Sequence, residues 1–301
     1  MATIKIGMAG WIERTTLYPK GIASPEAKLG YYSKYFPIVE VDTTYYAFPE
    51  RDTMSNWARW TSDDFTFNVK AHSILTHHYT GPKTLPQRVR NELPTNQVFS
   101  DSLHYDDLPE PATELLWNET DESLRPLYDA GKLGVVLFQF PATFHASRTN
   151  VDFMIECQRR LPDYHVGVEL RHFSWFANDD FPKMLKFLND NRLLYVGVDT
   201  PQGLESSVPP VVDSLGDFCV VRFHGRNAAG WEMTGPGSKQ ARSDYLYSDR
   251  EIEEWRERIR EIESQVKEVH LILNVNQAPE TIYRFADIFG EGIKGRPSMF
   301  L

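Results

Sequence analysis

The stretch Val166-Gly167-Val168-Glu169-Leu170-Arg171 decides the reading of this chain. In a strand, successive side chains alternate between two faces, so Val166, Val168 and Leu170 share one and Glu169 and Arg171 the other. A strand that begins apolar on both faces and ends charged on one fits a closed barrel. Its outer face packs on helices and its inner face turns polar only near the C-terminal end.

The same signature recurs along the chain. Val221-Arg222-Phe223-His224 turns Arg222 and His224 inward, and Phe67-Asn68-Val69-Lys70-Ala71-His72 turns Asn68, Lys70 and His72 inward. By the same count Val39-Glu40-Val41-Asp42 contributes Glu40 and Asp42, Phe138-Gln139-Phe140 contributes Gln139, and Val198-Asp199 contributes Asp199. Leu273-Asn274-Val275-Asn276 adds Asn274 and Asn276. Each segment belongs to one of eight short apolar runs, at residues 4–8, 38–42, 65–72, 133–140, 165–171, 193–199, 218–224 and 269–274. Helical periodicity lies between most of them. It is clearest over 249–264, where Ile252, Trp255, Ile259 and Ile262 recur at three- and four-residue steps behind a Ser248 or Asp249 cap. Shorter versions lie at 153–160, 181–191 and 282–289, and another near 121–130.

Strands alternating with helices imply parallel pairing through crossover helices, and eight such units close into a barrel. The expectation is an α/β chain, one (β/α)8 TIM barrel spanning residues 1–301 as a single domain. An open doubly wound sheet would favour a glycine-rich phosphate loop after the first strand, and GMAGWIER at 7–14 is not GxGxxG. Two connections are long, 73–132 after the third strand and 225–248 after the seventh. Both would lie over the barrel mouth, where active sites of this fold sit.

Composition excludes some classes. With 41% hydrophobic residues the chain has material for a large core, and a net charge of −10 disfavours indiscriminate binding to nucleic acid or anionic membrane. Cys157 and Cys219 form no CxxC or metal-ligand spacing. Cys219 sits in an apolar run and reads as a buried free thiol, which fits a reducing compartment. The start MATIKIGMAGW lacks the pattern of a signal peptide, and no run approaches the ~20 apolar residues of a membrane span. The expected location is cytoplasmic, with no membrane partner; the sequence points to no protein partner.

The polar strand ends define candidate chemistry. Lys70, Arg171, Arg222 and Arg226 would neutralise an anion, and Glu169 and His224 would serve as general acid and base. Trp11, Tyr45, Trp175, Trp231 and Tyr245, with Tyr46 and Phe173, follow the strands and could stack on a ligand. The expected partner is a small anionic ligand, phosphorylated or nucleotide-like, or a nucleic-acid fragment. A metal-dependent hydrolase of the endonuclease-IV or sugar-isomerase kind would instead draw on Glu40, His72, Glu169, Asp199 and His224. The cations in the same layer oppose a divalent ion, so no cofactor is expected, with a divalent metal kept as the alternative. A glycoside hydrolase would pair Glu40 or Asp42 with Glu169. A non-catalytic ligand sensor would use the same pocket, and a self-satisfied ion network closing the barrel needs no ligand at all. The adjacent His77 and His78 read as loop residues pointing apart.

Nearly end to end, the chain resembles the DUF72 (YecE-like) family of TIM-barrel proteins. The resemblance is carried by GMAGW at 7–11, VEVDTTYY at 39–46, FTFNVKAH at 65–72 with Thr76-His77, LGVVLFQFP at 133–141, VELRHFSW at 168–175, RFHGRN at 222–227 and LNVN at 273–276. It implies the barrel and the same strand-end cluster, keeps His77 as a weak site candidate, and supplies no reaction. Two departures lie at the mouth. The family segment reads closer to VNSTFY where this chain has Asp42, Thr43 and Tyr45, and Val275 separates the asparagines Asn274 and Asn276 that the family often pairs.

Overall fold

The structure is a computed structural model that describes residues 2–12, 17–50, 52–177, 181–204, 207–233, 235 and 237–297. Among them, eight strands form one closed sheet: β1 (Thr3–Ala9), β2 (Ile38–Val41), β3 (Thr66–Lys70), β4 (Leu133–Gln139), β5 (His165–Glu169), β6 (Leu193–Asp199), β7 (Phe218–Phe223) and β8 (Glu268–Leu273). Each strand pairs in parallel with the next, and β8 returns to β1. The helices are α1 (Pro25–Tyr35), α2 (Thr53–Arg59), α3 (Gln87–Asn91), α4 (Thr95–Val98), α5 (Glu110–Asp129), α6 (Arg148–Arg160), α7 (Phe181–Asp190), α8 (Ala228–Glu232), α9 (Ser238–Ser243), α10 (Asp249–Arg260) and α11 (Ala278–Phe289). The expected α/β (β/α)8 barrel is the fold observed.

Local chemistry sets the helix starts. Ser248 accepts from the Glu251 amide while the Glu251 carboxylate accepts from the Ser248 amide, closing a capping box ahead of α10. Ile252, Trp255 and Ile259 then bury one face of that helix, which ends at Arg260, four residues before the expected end. The β3–β4 connection holds α3, α4 and the 20-residue α5, and the β7–α10 connection holds α8 and α9. Among the described residues, no helix is long and apolar enough to cross a membrane.

The core has two parts. Inside the barrel, Val135, Leu137, Leu194, Val196 and Val220 fill one layer, and Ala9, Ile38 and Ile272 make a second group. Between barrel and helices lies a larger cluster that includes Trp117, Phe138, Met154, Phe223 and Trp255. Cys157 and Cys219 are buried free thiols.

This layering fixes which side chains face inward. Val135 and Leu137 carry Gln139 inward on β4, and Val220 carries Arg222 and His224 inward at the end of β7. The expectation for Asp199 is overturned. On β6 the inward set is Leu194 and Val196, so Asp199 lies on the outer face, in register with Phe223, and receives a hydrogen bond from Trp255 of α10 at 2.8 Å. Asn276 is also not inward. β8 ends at Leu273, alternation stops, and exposed Asn276 bonds the Gln240 carbonyl and Ser243 beside α9.

Candidate functional site at the barrel mouth

The floor of the mouth is built on Arg222, fully buried at the end of β7. Its Nε donates to Glu40 Oε2 at 2.8 Å and its Nη2 to Glu40 Oε1 at 2.5 Å. Nη1 donates to Glu169 Oε2 and reaches Gln139 Oε1 at 3.4 Å. Arg171 Nε donates to Glu169 Oε1, and Arg171 Nη2 lies 3.0 Å from His224 Nε2. Glu40, Arg222, Glu169 and Arg171 therefore form a paired chain of charges across β2, β7 and β5. Buried ions persist when paired and hydrogen-bonded in this way.

Protonation follows from these partners. Burial works against ionised Glu169, but Arg171 and then Arg222 hold its carboxyl well below the usual range. Burial pushes Glu40 up to about 7, with Arg222 pulling down and Asp42 adding to the rise. Burial, then Arg171, drives His224 down to about 3, so its ring is neutral at physiological pH. A guanidinium has only donors to offer, so His224 Nε2 accepts and the ring proton sits on Nδ1. Asn274 Nδ2 lies 3.2 Å from that Nδ1, a place where this tautomer asks for the amide oxygen.

The rim is less saturated. Lys70, half-buried at the end of β3, has its amine 4.0 Å from the centroid of the Tyr45 ring. Among the described residues, no carboxylate lies within 4.0 Å of that amine. Burial brings its pKa down to about 8, with Asp42 opposing and Arg222 adding to the fall. Asp42 Oδ1 is buried without a hydrogen-bond partner. Trp231, on α8, lies 5.5 Å from the Arg171 guanidinium, and the two share a cavity of about 370 Å³ with Ala142, His172, Phe173, Leu204 and Glu232.

His78, expected as a loop residue without a site role, joins the rim. His77 takes a left-handed backbone, φ 57°, which turns the chain so that the two histidines diverge. His78 packs edge-on to Tyr45, 5.3 Å between centroids, within the fields of Lys70 and Arg171. Thr76 Oγ1 donates to the Ser73 carbonyl, so it accepts from His78 Nδ1 at 2.9 Å and leaves Nε2 as the free acceptor. The match at Thr76-His77 was the available signal, one residue short. His77 itself turns towards Phe153, Tyr105 and His104. One nitrogen each from His77 and His104 and one Asp106 oxygen lie within 4.8 Å of one another, a set able to hold a metal ion.

Other expected site residues are placed elsewhere. Arg226 meets Asp199, at 3.0 Å from Nε to each carboxylate oxygen, together with Glu254 at 3.1 Å, and Tyr245 donates to Glu251 in the same outer cluster. Trp11 is buried edge-on against Trp57. Trp175 is buried and donates Nε1 to the Phe144 carbonyl at 2.7 Å. His72 stacks on Phe48 with Nε2 unpartnered. The ligand set of the metal-hydrolase alternative is thus not assembled: Asp199 is outside the barrel, and Glu40 and Glu169 are taken by arginines.

Fold and site define a (β/α)8-barrel protein with a paired ionic floor and a rim of lysine, histidine and aromatic side chains. The chain belongs to the family described as "Protein of unknown function DUF72", whose sequence profile matches residues 5–299. It is 31% identical to the UPF0759 protein YunF of Bacillus subtilis over 276 residues, 91% of this chain and 89% of that protein. It is 28% identical to the UPF0759 protein YecE of Escherichia coli K12 over 178 residues, 59% of this chain and 52% of that one. Two crystal structures of DUF72 family proteins share the fold. EF0366 of Enterococcus faecalis V583 has a TM-score of 0.78 at 25% identity, covering 98% of this chain and 99% of that one. TM1631 of Thermotoga maritima MSB8 has a TM-score of 0.72 at 28% identity, covering 96% and 100%.

Proposed function

We propose that the barrel mouth is the reaction site of an enzyme acting on a small anionic, hydroxyl-bearing molecule of the phosphate-ester class. The observation that carries this reading is a contrast. Every charge of the floor is paired, whereas at the rim, among the described residues, the Lys70 amine has no ion-pair partner and Asp42 Oδ1 is buried without a hydrogen-bond partner. Unsatisfied polar groups in a folded protein call for an explanation, and a ligand supplies one. An anionic group would meet Lys70 and the outer edge of Arg171, a ligand hydroxyl would donate to Asp42, and Tyr45 and Trp231 would flank it. Arg222 and Arg226, already saturated, would not touch it. Neutral His224, whose Nε2 lies 3.4 Å from ionised Glu169, is the group that would accept a proton from the ligand.

The test is a thermal-shift titration with inorganic phosphate and a panel of sugar phosphates. Saturation at a hundred times Kd adds about 2.7 kcal/mol, a shift of a few degrees. Lys70→Gln should weaken binding at least about tenfold. No shift with any phosphate ester would overturn the reading. A second reading rests on the His77, His104 and Asp106 set in the β3–β4 connection, which would hold a divalent ion. Stabilisation by zinc, lost in His77→Asn, would support it.

A further inference from the structure

We propose that Lys70 is a nucleophile that forms a covalent imine with a carbonyl carbon of the bound ligand. The proposal rests on the reading of the mouth as an anion site: with a carbonyl-bearing ligand the anion stays on Arg171 and Lys70 turns to the carbonyl as the reacting group. Three features of placement carry it. Lys70 is the inward side chain at the C-terminal end of β3, where reacting groups of this fold stand. Its amine lies over the Tyr45 ring at 4.0 Å, which takes water from one side of it, and no carboxylate lies within 4.0 Å of it among the described residues. Burial does most to disfavour the ammonium form and Arg222 adds to it, against the opposing pull of Asp42, Glu40 and Glu169, and desolvation beside a cation is what converts a lysine into a nucleophile. Lys132 is a useful contrast. It is the more buried of the two, but its amine donates to the Ala58 and Thr61 carbonyls at 2.6 and 2.9 Å.

The step balances without an oxidant or reductant. The Nζ lone pair forms the N–C bond as the carbonyl π pair moves to oxygen. That oxygen takes one proton released by the nitrogen and becomes the hydroxyl of a carbinolamine. The C–O bond then breaks, the nitrogen loses its second proton, and the oxygen leaves as water while C=N forms. Near pH 7 an amine with a pKa of about 8 is about one-tenth unprotonated, whereas an ordinary lysine is below about one part in a thousand.

The experiment incubates the intact protein at pH 7 with glycolaldehyde phosphate and sodium cyanoborohydride, then maps the reduced adduct by peptide mass spectrometry. Lys70 should carry the dominant adduct, forming at least about tenfold faster than on the surface lysines. Lys70→Arg should lose it while retaining the wild-type circular dichroism spectrum. Should that variant misfold, Tyr45→Phe, which keeps the lysine, should still be labelled at Lys70. Labelling at the same rate on Lys70 and on exposed Lys186 and Lys267, or no Lys70 adduct, overturns the proposal. Inorganic phosphate in the thermal-shift assay tests the anion reading separately, since it has no carbonyl. A phosphate shift without a Lys70 adduct removes the imine alone. Uncharged glycolaldehyde labelling Lys70 without any phosphate shift removes the anion reading alone.

Discussion

Arg222 closes two parallel hydrogen bonds on Glu40, Nε to Oε2 at 2.8 Å and Nη2 to Oε1 at 2.5 Å, with both side chains sealed from solvent. The fork geometry matches a guanidinium to a carboxylate, and the remaining Nη1 goes to Glu169. Removing the arginine would leave two buried carboxylates facing each other across the barrel. Arg222→Met should therefore cost about 3–5 kcal/mol in urea unfolding. Glu40→Gln keeps one acceptor of two and should cost less, about 1–3 kcal/mol. A loss under about 0.5 kcal/mol for Arg222→Met would show that the floor does not support the barrel.

Arg226 and Asp199 make the opposite case, an ion pair outside the barrel. Asp199 is buried and also accepts from Tyr247 at 2.6 Å and Trp255 at 2.8 Å, so removal of the partly exposed arginine leaves it two donors. Arg226→Ala should cost about 1–3 kcal/mol, below the range for a fully buried pair. It should leave the phosphate-induced thermal shift at its wild-type size. A shift lost together with Arg226 would put that residue in the anion site and contradict the outward placement of Asp199.

The reasons for the two parity failures, Asp199 and Asn276, are physical. On β5 and β7 the inward face announces itself, because Glu169 and Arg222 alternate with large apolar residues. On β6 the run Leu193–Asp199 is apolar on both faces until its last residue, so nothing in the run says which face Asp199 takes. The partners that decide it, Arg226, Tyr247 and Trp255, are 27 to 56 residues away in sequence. Asn276 failed for another reason, the end of β8 at Leu273, which alternation cannot foresee. His78 escaped because its direction depends on a left-handed turn at His77, an uncommon conformation for a non-glycine residue. The barrel, its floor and Lys70 were legible because period-two patterning reports faces; the rest of the rim, His78 and Trp231 on the connections, follows no such period.

Gly7, the first residue of the GMAGW motif, sits on β1 where a Cβ would collide with the backbone carbonyl of Ile38 on β2. The Ile38 carbonyl also accepts from the buried Tyr32 hydroxyl at 2.9 Å, so it is held in place. Because the obstacle is backbone, relief requires β1 and β2 to separate. Gly7→Ala should destabilise by about 3 kcal/mol or more, at the upper end of overpacking effects. Gly10→Ala, with open space around its Cβ and only a positive φ to oppose it, should cost less, about 1–2 kcal/mol. Equal urea midpoints for the two variants would contradict this account of the β1–β2 contact.

His72 links the fold to pH. It stacks on Phe48 at 4.8 Å between centroids, its Nε2 has no partner, and burial drives its pKa down to about 4. The unfolded chain takes up this proton near pH 6.5, the folded protein only near pH 4. Between those values the unfolded state binds more protons. The contribution to stability is therefore complete above about pH 6.5 and is lost as pH falls towards 4, reaching about 3 kcal/mol. Phenylalanine at this position keeps a ring against Phe48 and does not titrate. It gives up only the long 3.4 Å contact from the Ile74 amide to Nδ1, so His72→Phe should match wild type within about 1 kcal/mol at pH 7. At pH 4.5 the variant should be the more stable by about 2 kcal/mol relative to their difference at pH 7. His224, buried and still present in both proteins, contributes an acid-side slope of the same sign, so the comparison between the two proteins isolates His72. Urea unfolding at both pH values measures it. Parallel pH dependence in wild type and variant would mean that His72 is protonated, or hydrogen-bonded at Nε2, in the folded protein.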